Sequence, residues 1–466
     1  MNGYEAGRFK DLAEQAGKIR QGREHYFRDA VVGHIYGLAE EIAGRTVRRG
    51  QAGLDWDRRL DDILTSRLLG FPIMLLLLGV VFWVTIIGAN YLSEFLASFF
   101  SWSKAHLLSL GAGLGLPLWL QGFLVEGVYG TVGWVVAVML PPMAIFFPIF
   151  TLLEDLGYLP RVAFNLDNFF KRAGAHGKQA LTMSMGFGCN AAGVIACRVI
   201  ESPRERLIAT LTNTFVPCNG RFPTLIALAM IFMGGAVAAA YSTAIAAVVV
   251  VGIVLFGVVI TFVVSWLLSR TILKGLPSTF TLELPPYRKP QVAQVLVRSI
   301  LDRTIFVLGR AVIIAAPAGG IIWILANISV GEVSAIAYLA GLLDPVARAM
   351  GLDGFILMAF ILGLPANEIV LPVLIMSYLA TGAMLELDSL QALKTLLVDQ
   401  HGWTWLTALC TMLFALMHYP CGTTLFTIQR ETRSAGWTLL AALIPLAVGC
   451  LVCFLVAQTV RMLGLV

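Results

Sequence analysis

From Leu68 onward the chain returns repeatedly to apolar runs longer than the ~18–20 residues needed to cross a bilayer. At that depth only helices or closed barrels can satisfy a backbone, and helical-length runs without strand alternation leave helices. The chain therefore reads as an all-α polytopic membrane protein. The spans fall at about 68–90, 122–153, 207–233, 236–268, 304–327, 403–428 and 437–462. Composition agrees, with 58% hydrophobic and 13% charged residues against about 25% charged in soluble domains. The seven cysteines lie mostly inside apolar runs, which excludes a disulfide framework.

The runs are interrupted in a specific way. Gly186-Phe187-Gly188-Cys189-Asn190 places two glycines, a thiol and an amide inside the apolar stretch 181–200. A lipid-facing helix gains nothing from those residues, because glycine weakens it and an amide in hydrocarbon needs a partner. The stretch is expected to be a helix break, and such breaks are tolerated only where backbone is buried in protein or lines a cavity. Three further breaks are expected at Pro217-Cys218-Asn219-Gly220-Arg221, at Gly363-Leu364-Pro365-Ala366-Asn367-Glu368 and at His418-Tyr419-Pro420-Cys421-Gly422. Pro141-Pro142, with two missing N–H groups, is expected to kink or break the second span. The glycine-bearing region 91–117 is expected to be irregular and extracytoplasmic.

Charge sets the sides. Basic residues flank the first break region at Lys171, Arg172, Lys178, Arg198, Arg204 and Arg206, so that segment is expected to be a re-entrant hairpin from the cytoplasm, with a full span as the alternative. Glu332, Asp344, Glu386, Asp388 and Asp399 surround the segment 355–380, so the second hairpin is expected to enter from outside. Each half then runs hairpin, span with a Pro-Cys break, span, and the halves are inverted. Inverted repeats of this kind place substrate at their interface near the midplane. The expected organisation is a cytoplasmic or interfacial amphipathic helical segment (1–67, with Leu38, Ile42, Leu60, Ile63 and Leu64 as its stripe), a first span and connection (68–121), a first repeat (122–270), a cytoplasmic connection (271–303) and a second repeat (304–466). The N-terminus is expected in the cytoplasm.

These residues resemble the membrane region of the bacterial ferrous iron transport protein B family, with its two gate motifs. The resemblance runs from about Leu60 to the C-terminus and rests on Leu153-Glu154-Asp155-Leu156-Gly157-Tyr158, His176-Gly177-Lys178, Gly186 to Asn190, Pro217-Cys218, Glu283-Leu284-Pro285-Pro286-Tyr287-Arg288, Tyr419-Pro420-Cys421 and Arg430-Glu431. It implies Fe²⁺ transport across an inner membrane. Members usually carry an N-terminal GTP-binding domain, whereas this sequence has no G-x-x-x-x-G-K-S/T run, so an enzymatic role is not expected and nucleotide hydrolysis would require a separate nucleotide-binding partner on the cytoplasmic side. The chain also departs from the family pattern within the motifs, with Ala191-Ala192-Gly193 in place of Val-Pro-Ala and Asn219-Gly220 in place of Ser-Ala.

The chemistry favours a divalent metal as transported substrate, with no permanently bound cofactor and no nucleic acid. Ferrous iron accepts thiolate, imidazole and carboxylate ligands. Cys189, Cys218 and Cys421 each lie at a break, while Cys197, Cys410, Cys450 and Cys453 read as small buried hydrophobes. Glu368 is the clearest carboxylate inside an apolar segment and is expected either to ligate a cation or to pair with Arg221. Asn190, Asn219 and Asn367 offer carbonyl oxygens or cap broken helices, and His418 is either a ligand or an interface residue. The alternative substrates are nucleosides, because similar hairpins occur in concentrative nucleoside carriers; a non-transporting scaffold or regulatory subunit is the alternative from another class. Membrane lipid and a second copy of the chain are further partners in view.

Overall fold

The computed structural model describes residues 24–46, 56–66, 68–234, 239–275, 287, 290–384, 387 and 389–465. Residues 283–286 and Arg288 of the Leu-Pro-Pro motif, Glu386, Asp388 and residues 1–23, 47–55 and 67 of the N-terminal segment lie outside the described residues. Among the described residues the chain is helical except for a two-residue ladder pairing Ser329–Val330 with Val333–Ser334.

The N-terminal part forms α1 (Glu24–Thr46) and α2 (Trp56–Leu64). Only α2 has a one-sided apolar pattern. The expected stripe positions Leu38 and Ile42 of α1 are exposed, as are Leu60 and Ile63 of α2.

Among the described residues, seven helical stretches are long and apolar enough to cross a membrane: Gly70–Gly113, Leu118–Asp155, Pro203–Met233, Ile245–Arg270, Val292–Asn327, Trp405–Thr432 and Ala435–Met462. Two expectations fail here. The region 91–117 is not irregular: α3 (Gly70–Gly113) continues as one helix of 44 residues, about 66 Å long against a hydrocarbon core of about 30 Å. Its glycines at 111 and 113 come only where the helix ends. Nor does Pro141-Pro142 break the second span, since α4 (Gly130–Asp155) runs through Pro141, Pro142 and Pro148. The missing N–H groups are absorbed inside a packed bundle, where both prolines are buried.

Helix α5 (Tyr158–Arg172) leads into the first hairpin, made of α6 (Gln179–Gly188) and α7 (Asn190–Ala196). Its return to the starting side is visible at its base. Lys178 Nζ donates to Val199 O at 3.3 Å and reaches Glu201 Oε1 at 3.4 Å, so the chain leaves where it entered. The first broken span follows as α8 (Pro203–Thr212) and α9 (Phe222–Leu228), then α10 (Ala239–Arg270). In the second half α11 (Phe306–Asn327) precedes α12 (Ala335–Ala349), which meets α13 (Gly354–Leu362) at 112°. Helices α13 and α14 (Val370–Leu379) form the second hairpin, closed at its base by a bond from Tyr378 Oη to Asp353 Oδ2. The second broken span is α15 (Trp405–Met417) and α16 (Gly422–Thr432), and α17 (Ala435–Met462) ends the chain.

The inversion can be read from the second broken span. Near its Thr432 end, Glu431 pairs with Arg198 at 2.7 Å, beside the base of the first hairpin. At its other end Trp403 Nε1 donates to Tyr378 Oη at 2.9 Å, at the base of the second. The hairpins therefore enter from opposite ends of one span. Within lipid there is no hydrophobic drive between helices, so close packing and hydrogen bonds must hold the hairpins. A Cβ on Gly186 would sit 2.8 Å from Asn213 Oδ1, and one on Gly193 only 2.5 Å from Asn213 Nδ2. Those glycines let Asn213 approach and donate to Asn190 O at 3.1 Å.

Candidate metal site at the helix breaks

All four breaks occur where expected. Cys189 is extended (φ −155°, ψ 125°) between α6 and α7, because its own N–H still bonds Met185 O while Asn190 starts a new helix. Val216 to Cys218 is extended between two short 3₁₀ turns. The second hairpin turns through Gly363 to Ala366, and His418 to Cys421 separates α15 from α16.

The breaks meet at one place. Asn367, at the tip of the second hairpin, lies with Nδ2 3.8 Å from Cys218 Sγ and with Oδ1 3.3 Å from His418 Nε2. Leu364 O in the same turn accepts from Gly422 N at 2.6 Å, and Tyr419 Oη donates to Phe360 O at 2.7 Å. Cys189 lies within electrostatic range of both Cys421 and Cys218. Cys421 is half-buried, with Sγ 3.2 Å from Thr424 Oγ1. Among the described residues no three His, Cys, Asp or Glu side chains converge closely enough to hold a metal together.

The His418 imidazole is buried, and its Nδ1 faces two carbonyls, Phe414 O at 3.1 Å and Ala415 O at 3.0 Å. Two acceptors require a proton on Nδ1, which in the neutral ring leaves the Nε2 lone pair toward Asn367. Asn190, with its amide nitrogen turned inward, donates to Gly186 O at 3.1 Å and to Val216 O at 3.2 Å. It thus ties the first hairpin to the first break through its side-chain nitrogen.

Arg221 resolves differently from expectation. Its side chain is 2% exposed, and Nη1 donates to Thr214 O at 2.8 Å and to Leu416 O at 2.6 Å. Nη2 reaches His418 O at 3.3 Å and Tyr419 O at 3.4 Å. The guanidinium serves the free carbonyls of both broken spans and makes no ion pair with Glu368. A broken helix leaves its last carbonyls unmet, and a five-donor cation is an efficient answer.

Glu368 instead looks into a cavity of about 450 Å³, together with Asn219, Asn90 and Ser93. The Asn219, Asn90 and Ser93 side chains have no hydrogen-bond partner among the described residues, and the Glu368 carboxylate accepts from its own backbone N–H. The carboxylate rests against Gly220, where a Cβ would overlap it. The remaining walls are mostly apolar, including Trp134, Phe222 and Leu371, with Thr224 among them. Ser93 escaped sequence reasoning because the region beyond residue 90 read as irregular, and Asn90 because it stood at the very end of the expected span. Their signal was three-residue spacing, which puts both on one face of α3.

A second polar cluster ties α2 to the membrane domain. Arg161, 1% exposed, bonds Asp61 through Nε at 2.9 Å and Nη2 at 3.3 Å, and Gly157 O through Nη1 at 2.7 Å. Tyr287 donates to Asp61 Oδ1 at 2.8 Å, with the guanidinium stacked over its ring at 4.1 Å. Burial raises the Asp61 carboxyl, but the bonds from Arg161 and Tyr287 outweigh it and hold the group below the usual carboxylate range. Burial and the carboxylate push the Tyr287 hydroxyl up to about 12.

Comparison with known proteins follows the same outline. Residues 136–233 and 308–435 match the family described as Gate, nucleoside recognition, and residues 250–302 match the family described as Ferrous iron transport protein B C terminus. The chain is 29% identical over 415 residues to the Fe(2+) transporter FeoB of Staphylococcus aureus (strain MSSA476), covering 86% of this chain and 58% of that protein. It is 27% identical over 448 residues to the Fe(2+) transporter FeoB of Methanocaldococcus jannaschii, covering 93% and 63%. With the Fe(2+) transport protein A/Fe(2+) transporter FeoB fusion protein of Porphyromonas gingivalis it shares 26% identity over 487 residues, covering 94% and 55%. The chain thus spans less than two thirds of the length of these relatives. No solved structure matches it.

Proposed function

The chain belongs to the ferrous iron transport protein B family, and from that premise we propose that it carries Fe²⁺ across a membrane through the meeting point of its four helix breaks. The observation that carries this reading is the pairing of two donor sets. Glu368, Asn219, Asn90 and Ser93 offer oxygen atoms to one cavity, and a thiol, amide and imidazole run behind them from Cys218 through Asn367 to His418.

A hydrated cation is best met first by oxygen groups that replace water one at a time, and the Glu368 charge offsets part of the dehydration cost. Ferrous iron, borderline in softness, then gains from sulfur and nitrogen where magnesium and calcium do not. His418 suits that step, since carbonyls on Nδ1 fix the tautomer that presents Nε2, as metal-ligating histidines commonly show. Cys218, Cys189 and Cys421 supply thiolates from three of the breaks, with Asn190, Asn219 and Asn367 lending carbonyl oxygen or holding the backbone. Dispersed donors favour release as well as capture.

By the positive-inside rule we assign the basic base of the first hairpin, and with it the N-terminus, to the cytoplasmic side of an inner membrane and the cavity at Glu368 to the outer side. The test is uptake of radiolabelled Fe²⁺ by proteoliposomes under reducing conditions, with and without added nucleotide. A Cys189/Cys218/Cys421→Ala variant is expected to lose uptake, while Cys410→Ala and Cys453→Ala, buried against each other, retain it. Equal uptake by the triple variant sinks the thiol assignment, and uptake of nucleosides in place of Fe²⁺ sinks the metal reading.

A further inference from the structure

Two apolar cavities adjoin along one flank of the membrane domain. One of about 370 Å³ lies against α3, α5, α6 and α10, and another of about 450 Å³ lies against α3, α9 and α10. Leu75, Leu78, Phe187, Val254 and Leu255 border both, so they form one groove between α3 and α10. Phe71 and Phe169 border the first cavity and also a third, of about 580 Å³, whose other walls are Phe164 and the polar Thr65, Asn165, Asp167, Asn168 and Arg172. The groove is apolar along the membrane-crossing helices and polar at one end.

We propose that this flank is a binding site for a single glycerophospholipid, with an acyl chain in the α3–α10 groove and its phosphate at Arg172. At the depth of these helices the surrounding medium is hydrocarbon, and an apolar groove left empty forfeits dispersion contacts along its whole lining. The polar end supplies charge complementarity. Asp167 is already neutralised by Lys171 at 2.6 Å, and the exposed Arg172 has no hydrogen-bond or ion-pair partner among the described residues, so the pocket carries one uncompensated positive charge. Helix α5 exposes Phe164 and Phe169 beside it, the pattern of a helix seated at the headgroup boundary.

The groove reaches working parts of the fold. Phe187 belongs to the first hairpin's turn, and Phe222, Ile226 and Met230 border both this groove and the cavity holding Glu368. A bound chain therefore supports the back of α9 while the cation cavity occupies its front.

The experiment is native mass spectrometry of the full chain, delipidated in detergent and titrated with palmitoyl-oleoyl phosphatidylglycerol. Wild-type protein is expected to retain one lipid per chain. Arg172→Gln, which removes a charge-assisted contact, is expected to weaken retention roughly tenfold. Gly79→Phe fills the groove from a position with nothing within 4 Å of an added Cβ, and is expected to do the same without disturbing the fold. Wild-type retention in both variants overturns the proposal, and so does inorganic phosphate that binds as tightly as the lipid.

Discussion

Replacing Gly220 by alanine probes the contact between the first Pro-Cys break and the second hairpin. A methyl group there overlaps the Glu368 carboxylate and stands 2.9 Å from Glu368 Cγ. The carboxylate ends a flexible side chain and has the 450 Å³ cavity beside it, so rotation relieves the clash more cheaply than backbone movement. An off-rotamer side chain costs about 0.5–1.5 kcal/mol, and replacing glycine returns up to about 1 kcal/mol of backbone entropy. The melting temperature is therefore expected to stay nearly unchanged. Displacing an oriented ligand is another matter. Disturbing groups that orient a metal ligand typically costs about 10–100-fold in affinity, or about 1.4–2.8 kcal/mol. In proteoliposomes Gly220→Ala should raise the KM for Fe²⁺ by that factor, much as Glu368→Gln does, and the double variant should be little worse than either alone. Unchanged KM in Gly220→Ala beside an impaired Glu368→Gln would refute the reasoning, as would a loss of several degrees in melting temperature.

Arg221→Gln leaves most of four buried carbonyls unserved and should destabilise the detergent-solubilised protein by at least about 3 kcal/mol, read from chemical denaturation. Asp61→Asn should loosen α2. A carboxylate held below its unfolded value stabilises the fold above that value and loses the contribution as pH falls through the lower folded one. Hydrogen exchange in α2 should therefore stay slow at neutral pH and quicken only below about pH 4 in the wild type, and be fast throughout in the variant.

The breaks were legible because each puts glycine, proline or an amide where an unbroken helix has no use for one, and because basic residues stand on both sides of Gly186 to Asn190. The inversion was legible in charge alone. What escaped were features that depend on the packed neighbour. Pro141 and Pro142 look like breakers until the surrounding bundle absorbs their missing donors, and Ser93 looks like a loop residue until α3 is seen to continue past residue 90. Glu368 offered two readings, a cation ligand or a partner for Arg221, and the pair fails because the helix breaks create carbonyls that take the guanidinium, which have no signature in side-chain sequence. Gly220, a departure from the Ser-Ala pattern, became intelligible only when the carboxylate was found against it.

Arg221 also breaks the symmetry between the repeats. The second repeat reads Pro420-Cys421-Gly422-Thr423-Thr424, with a threonine where the first has arginine. One side chain from the first repeat thus stitches Thr214 O to Leu416 O, His418 O and Tyr419 O of the second. The bonds that join the two breaks are therefore owned by one half. If the proposed transport rocks one repeat on the other, these four hydrogen bonds either sit at the pivot or must break, and the two repeats are unequal partners in that motion.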